Sequence, residues 1–127
     1  MVNAVADLPS GVLGFRASGR VTLDELDQVT QAVHAALGRH EPLNFYVELE
    51  DDFEGLDRDA ARQGRQDALG IGLRHRKSWQ RLALVTDQDW VRNYLNAFGS
   101  MVPGELRVFE PGRRGEARSW LTQRVAA

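Results

Sequence analysis

Between Phe45 and Phe109 strand-like apolar runs alternate with helical segments, and this alternation constrains the fold more than any other feature. Phe45 to Glu50 reads as a strand, with Phe45, Val47 and Leu49 on one face and Tyr46, Glu48 and Glu50 on the other. Asp57 is placed to cap a helix running to about Arg76. Arg81–Val85 is a near-continuous apolar run, as expected of a buried strand. Asp87 or Thr86 then caps a helix from Gln88 to about Ala97. Pro103-Gly104 is a turn into a strand at Leu106–Phe109, and Pro111-Gly112 precedes a closing helix over Glu116–Arg124 with Trp120 and Leu121 inward. Strands separated by helices pair in parallel through right-handed crossovers.

The N-terminal part adds one antiparallel edge. Val2–Ala6 and Val12–Ser18 flank Asp7-Leu8-Pro9-Ser10-Gly11, a hairpin-type break. Thr22 with Glu25 three residues later is a capping box. Leu26, Val29, Val33 and Leu37 recur at helical spacing, so a helix is expected from Thr22 to about Arg39. The fold class is therefore α/β: a single-domain sandwich of about five mostly parallel strands, with an N-terminal hairpin edge and about four helices.

At 127 residues the chain is the length of one domain with one core. No apolar run approaches the roughly 18 residues of a membrane span, and residues 1–10 lack the basic start of a secretion signal. A cytoplasmic protein is expected, with peripheral membrane contact left open. The net charge of −2 argues against a nucleic-acid binder. Without cysteine there is no disulfide or thiolate chemistry.

The chain resembles the SpoIIAA-like family, whose fold is related to STAS domains and to the lipid-carrying CRAL-TRIO domains. The resemblance runs from Gly11-Val12-Leu13-Gly14-Phe15 to Trp120-Leu121. Its most specific parts are Val47-Glu48-Leu49 with Asp51-Asp52-Phe53-Glu54-Gly55, Gly72-Leu73-Arg74-His75, Val85-Thr86-Asp87 with Trp90, and Val102 to Phe109. It implies a module that associates with membranes or holds apolar ligands, with no established reaction. The anti-sigma-factor antagonists of the STAS group carry a phosphorylatable serine after the central strand. Here Asp51 to Asp57 stands in that place, and no Ser or Thr occurs from Gln31 through Lys77. A serine-based switch at that position is not expected, since phosphorylation needs a hydroxyl.

Several residues carry two readings each. The acidic loop Glu50, Asp51, Asp52 and Glu54 follows a strand end, where open α/β sheets place ligands, yet acidic residues also complement a helix start. Glu48, inside a covered strand, is either paired with an arginine such as Arg16 or Arg81, or held at a raised pKa for catalysis. His34, His40 and His75 have no metal-ligand spacing, and Gly70-Ile71-Gly72 is no phosphate loop because no Lys-Ser/Thr follows. Arg58, Arg62 and Arg65 share one side of their helix and read as a solvated face. No cofactor is expected.

Trp90, Tyr94 and Phe98 recur every four residues and form one helix stripe, with Met101 and Val102 just beyond. Core packing explains such a stripe. A binding surface explains it too, with Phe53, Trp90, Tyr94, Phe98 and Met101 lining a site for an apolar small molecule or lipid. The Gly99-Ser100 break would then act as a hinge. The partners expected are such an apolar molecule, a protein, or a second copy of the chain. The leading function is a non-enzymatic binding module; a protein-interaction module of a regulatory pathway without a serine switch is the alternative.

Overall fold

The computed structural model describes residues 1–9, 11–38, 43–64, 66, 79–98 and 104–122. Strands β1 (Val2–Ala4), β2 (Val12–Ala17), β4 (Leu43–Leu49), β6 (Trp79–Val85) and β7 (Glu105–Phe109) form one sheet in the order β1-β2-β4-β6-β7. Only β1 and β2 pair antiparallel; the three remaining pairings are parallel. The expected hairpin edge and parallel body are both present. A second, two-stranded sheet, β3 (Arg20–Val21) on β5 (Gly55–Leu56), was not foreseen, because two-residue strands leave no periodicity to read.

Helix α1 (Leu23–Leu37) begins at the capping box read from the sequence: the Thr22 hydroxyl accepts the Glu25 N–H at 3.3 Å, and the Glu25 carboxylate accepts the Thr22 N–H at 3.2 Å. Residues 58–64, here α2, are helical, and Asp57 caps them by accepting the Ala60 N–H at 2.8 Å. The continuation of that helix to Arg76 lies outside the described residues, as do Arg65, His40, His75 and Gly70–Gly72. α3 (Asp89–Phe98) and α4 (Arg114–Thr122) complete the set. Of the two caps proposed for α3, Thr86 is the one engaged, its hydroxyl accepting the Gln88 N–H at 3.1 Å.

The register across the parallel strands sorts the core into two layers. One row runs Phe15–Val47–Leu84–Val108 and the next Arg16–Glu48–Val85–Phe109, so neighbouring rows point to opposite faces. On one face α1 and α3 bring Leu26, Val29, Val33, Leu37, Val91 and Leu95 onto the sheet. On the other, Ala117, Trp120 and Leu121 of α4 meet Tyr46, Ala83, Val85 and Phe109. Val5 and Leu8 of the loop after β1 finish that layer. Leu8 reaches the sheet over Gly14, where a Cβ would stand 2.2 Å from its Cδ1. No helix among the described residues is long and apolar enough to cross a membrane.

Candidate functional site

The C-terminal ends of β4 and β6 carry the two loops that hold the aromatic residues read from the sequence. Phe53 follows β4, and Trp90 opens α3 after β6. Their rings stack nearly parallel, with centroids 5.9 Å apart and an interplanar angle of 11°. Gln88 fixes the pair from below. Its side-chain amide donates to the carbonyls of Glu50 at 3.0 Å and Asp51 at 3.3 Å, while its oxygen accepts the Trp90 indole N–H at 2.5 Å. Gly55 lies against the same ring, since a Cβ there would sit 3.7 Å from Trp90 Cη2. The acidic loop and the start of α3 are thus joined through one glutamine and one stacked ring pair.

This aromatic surface faces solvent. Trp90 is 51% exposed and Tyr94 57%, while on the same helix Val91 is 7% exposed and packs with Leu84 and Leu49. Val91 and Leu95 form the stripe that packs inward, and Trp90 and Tyr94 lie on the outward one. Core packing therefore does not account for these two rings. Among the described residues Leu56, 39% exposed, and Met1 are the other large apolar side chains left open to water. The side chain of Phe98, and Met101 with the Gly99-Ser100 break, lie outside the described residues. Of the five candidate positions, the structure brings Phe53 and Trp90 into contact and sets Tyr94 one turn further along α3.

Around this surface stand carboxylates. Glu50, Asp51, Asp52, Glu54, Asp87 and Asp89 are all exposed. Glu54 pairs with Arg20 at 3.9 Å and Glu50 with Arg16 at 3.8 Å. Among the described residues Asp52 and Asp87 enter no ion pair. No group of described residues could hold a metal ion.

Glu48, on the opposite face of the sheet, is 3% exposed and has three donors. Arg16 Nε donates to Oε2 at 2.7 Å, Arg114 Nε to Oε1 at 2.6 Å, and the Tyr46 hydroxyl to Oε1 at 2.8 Å. Burial pushes the Glu48 carboxyl up, but the hydrogen bonds from Tyr46, Arg114 and Arg16 outweigh it, and its pKa lies below the ordinary value. Burial, then the bond to Glu48, raises the Tyr46 phenol. The raised pKa that the catalytic alternative required is not found at Glu48. Arg16 is the partner expected from the sequence. Arg81 is not: it pairs with Glu105 at 3.6 Å, donates to the Trp120 carbonyl, and lies 5.1 Å over the Trp120 ring. Arg114 was missed, and its only signal was the Arg113-Arg114 doublet opening α4.

A groove of about 930 Å³ runs between α3, β7 and α4, lined among others by Arg92, Asn96, Arg107, Glu110, Glu116 and Trp120. Its wall is largely charged, and none of Phe53, Trp90 or Tyr94 lines it. It does not have the character of an acyl-chain pocket. His34 is exposed on α1, remote in sequence from all of these groups.

The family model described as SpoIIAA-like matches residues 12–122. Among solved structures, a protein of the DUF3478 family with a SpoIIAA-like fold, from Shewanella loihica PV-4, is similar at a TM-score of 0.71 and 25% identity, covering 94% of this chain and 93% of that one. No curated protein matches the chain.

Proposed function

The chain belongs to the SpoIIAA-like family, and on that premise we propose that it is a non-enzymatic binding module whose working surface is the aromatic face of Phe53, Trp90 and Tyr94. The observation that carries this reading is the exposure of Trp90 and Tyr94 on a helix that has aliphatic residues to bury instead. Exposed large aromatic area costs hydration free energy in the free protein, and docking of an apolar group recovers it. Trp and Tyr also lose little side-chain entropy on contact, and Trp90 is already held by Phe53 and Gln88. An apolar small molecule, an acyl chain and a membrane surface each present such a group, as does the apolar side of a protein. The open geometry favours docking onto a surface over enclosure.

The state of Glu48 supports the absence of catalysis. A carboxylate held ionised by three donors is poorly placed to exchange protons near neutral pH. A titration with octyl glucoside below its micelle concentration, followed by two-dimensional amide NMR, tests the reading with a neutral amphiphile. The expected shifts centre on the Trp90 indole N–H and on the amides of Phe53, Trp90 and Tyr94. Shifts confined to other parts of the molecule would overturn it.

A further inference from the structure

We infer that the occupant of this aromatic face is a basic, amphipathic segment of a partner protein, whose apolar side covers Trp90 and Tyr94 and whose lysines or arginines meet the surrounding carboxylates. The inference rests on the docking surface proposed above and adds the charge of what docks there. Its basis is complementarity. Glu50, Asp51, Asp52, Glu54, Asp87 and Asp89 are exposed beside Phe53 and the start of α3, and among the described residues the cations paired with them are Arg16, at Glu50, and Arg20, at Glu54. Helix electrostatics explain only part of this charge. Asp57 caps α2 and Asp89 lies in the first turn of α3, whereas Asp51 and Asp52 precede the start of α2 by more than a turn and serve no helix end. A solvated acidic loop needs no aromatic neighbour, and an aromatic docking face needs no acidic rim. Their joining through Gln88, which ties the Glu50 and Asp51 carbonyls to the Trp90 indole, makes them one surface.

The same charges select against a membrane. Anionic lipid would bring its phosphates against these carboxylates, and a zwitterionic headgroup, with no net charge, would match them less well than a run of cations. A polybasic segment brings charge of one favourable sign, and its cations also interact with the exposed Trp90 ring. Such association is steered electrostatically and weakens as salt screens it.

The test uses the full chain and two synthetic amphipathic helices, one of leucine and lysine and one of leucine and glutamate. Vesicles of phosphatidylcholine, alone or with phosphatidylserine, are measured in parallel. The lysine peptide is expected to bind at least about tenfold more tightly than the glutamate peptide, and to weaken with added salt. In the double variant Asp52→Lys, Asp87→Lys the preference is expected to reverse; both side chains are exposed and unpaired, so the fold should tolerate the change. Trp90→Ala is expected to weaken binding of the lysine peptide by about tenfold. Equal binding of the two peptides, no binding of the lysine peptide, or capture on vesicles in its place would overturn the inference. Loss of peptide binding in Trp90→Ala with no effect of the charge reversal would overturn the basic partner and leave the aromatic surface standing. No effect of Trp90→Ala on peptide or octyl glucoside would remove both.

Discussion

Arg114, the first residue of α4, donates its Nε to Glu48 of β4 at 2.6 Å across 66 positions of chain. With Arg16 directly opposite Glu48 on β2, the bond fastens a helix and two adjacent strands to one carboxylate. Both arginines keep about half of their side-chain surface in water, at 42% and 51%, so the cluster buries one charge and leaves its partners hydrated. This arrangement avoids the larger desolvation cost of a wholly buried ion pair.

The pH dependence follows from that geometry. The folded pKa of Glu48 lies below its unfolded value near 4.5, so its contribution to stability is complete above that value and is lost as pH falls through the lower folded pKa. Glu48→Gln is expected to cost about 2 kcal/mol at pH 7, the scale of losing hydrogen bonds to a charged group. The difference from wild type should shrink below about pH 4 as the wild-type carboxyl protonates. Urea unfolding at a series of pH values checks both statements. A difference that stayed constant from pH 7 to pH 3 would show that the charge of Glu48 is not what stabilises the cluster.

The capping box makes a local prediction. Thr22→Ala removes the acceptor for the Glu25 N–H and is expected to lower stability by about 1 kcal/mol. The carboxyl of Glu25 is lowered chiefly by the Thr22 backbone N–H, which alanine retains; burial opposes this, and the N-terminal ammonium 3.2 Å away adds to the lowering. Its titration by NMR should therefore stay below the ordinary value in the variant, separating the two halves of the box.

How legible the molecule was in its sequence depended on the range of each contact. Thr22–Glu25 and Asp57–Ala60 are three residues apart, so spacing alone located both caps. The alternation of Tyr46 and Glu48 against Phe45, Val47 and Leu49 assigned both faces of β4 correctly, because the strand period is two. The partner of Glu48 was only half legible. Any arginine on its face satisfied the requirement, and the choice of Arg114 over Arg81 depends on how α4 lies across the sheet. The aromatic stripe of α3 carried two readings for a related reason. Trp90–Tyr94 and Val91–Leu95 share the same four-residue spacing, and periodicity cannot tell which stripe a helix turns inward. The rows Leu84, Leu106 and Val108 beneath it settle the matter in favour of the aliphatic pair.

Gly104 is a position where only glycine fits. Its φ of +80° is left-handed, and a Cβ there would stand 2.7 Å from the Gln80 carbonyl oxygen and 3.1 Å from that of Trp79. Both neighbours are backbone of β6 and cannot rotate away. Gly104→Ala is expected to cost about 3 kcal/mol by combining backbone strain with the clash. Hydrogen exchange should show the loss first at β7, whose pairing with β6 begins at Glu105 and Arg81. Protection of β7 unchanged from wild type would contradict this account.

Two tryptophans on opposite faces of the sheet give the sharpest contrast. Trp120 is 5% exposed and packs against Phe109 with centroids 5.8 Å apart, whereas Trp90 is 51% exposed and touches Phe53. Removing a buried tryptophan gives up its transfer free energy and leaves a cavity, so Trp120→Ala is expected to cost about 4 kcal/mol. Trp90→Ala gives up one stacked face and leaves no cavity, for an expected cost of about 1 kcal/mol. A double-mutant cycle with Phe53→Ala should return a coupling of about 1 kcal/mol between the two rings. A side chain that contributes so little to the fold, yet is held in place by Phe53 and Gln88, is preorganised for contact with something else. If urea unfolding instead gave Trp90→Ala a cost as large as that of Trp120→Ala, the ring would be packing the core, and the aromatic face would lose its claim to be a docking surface.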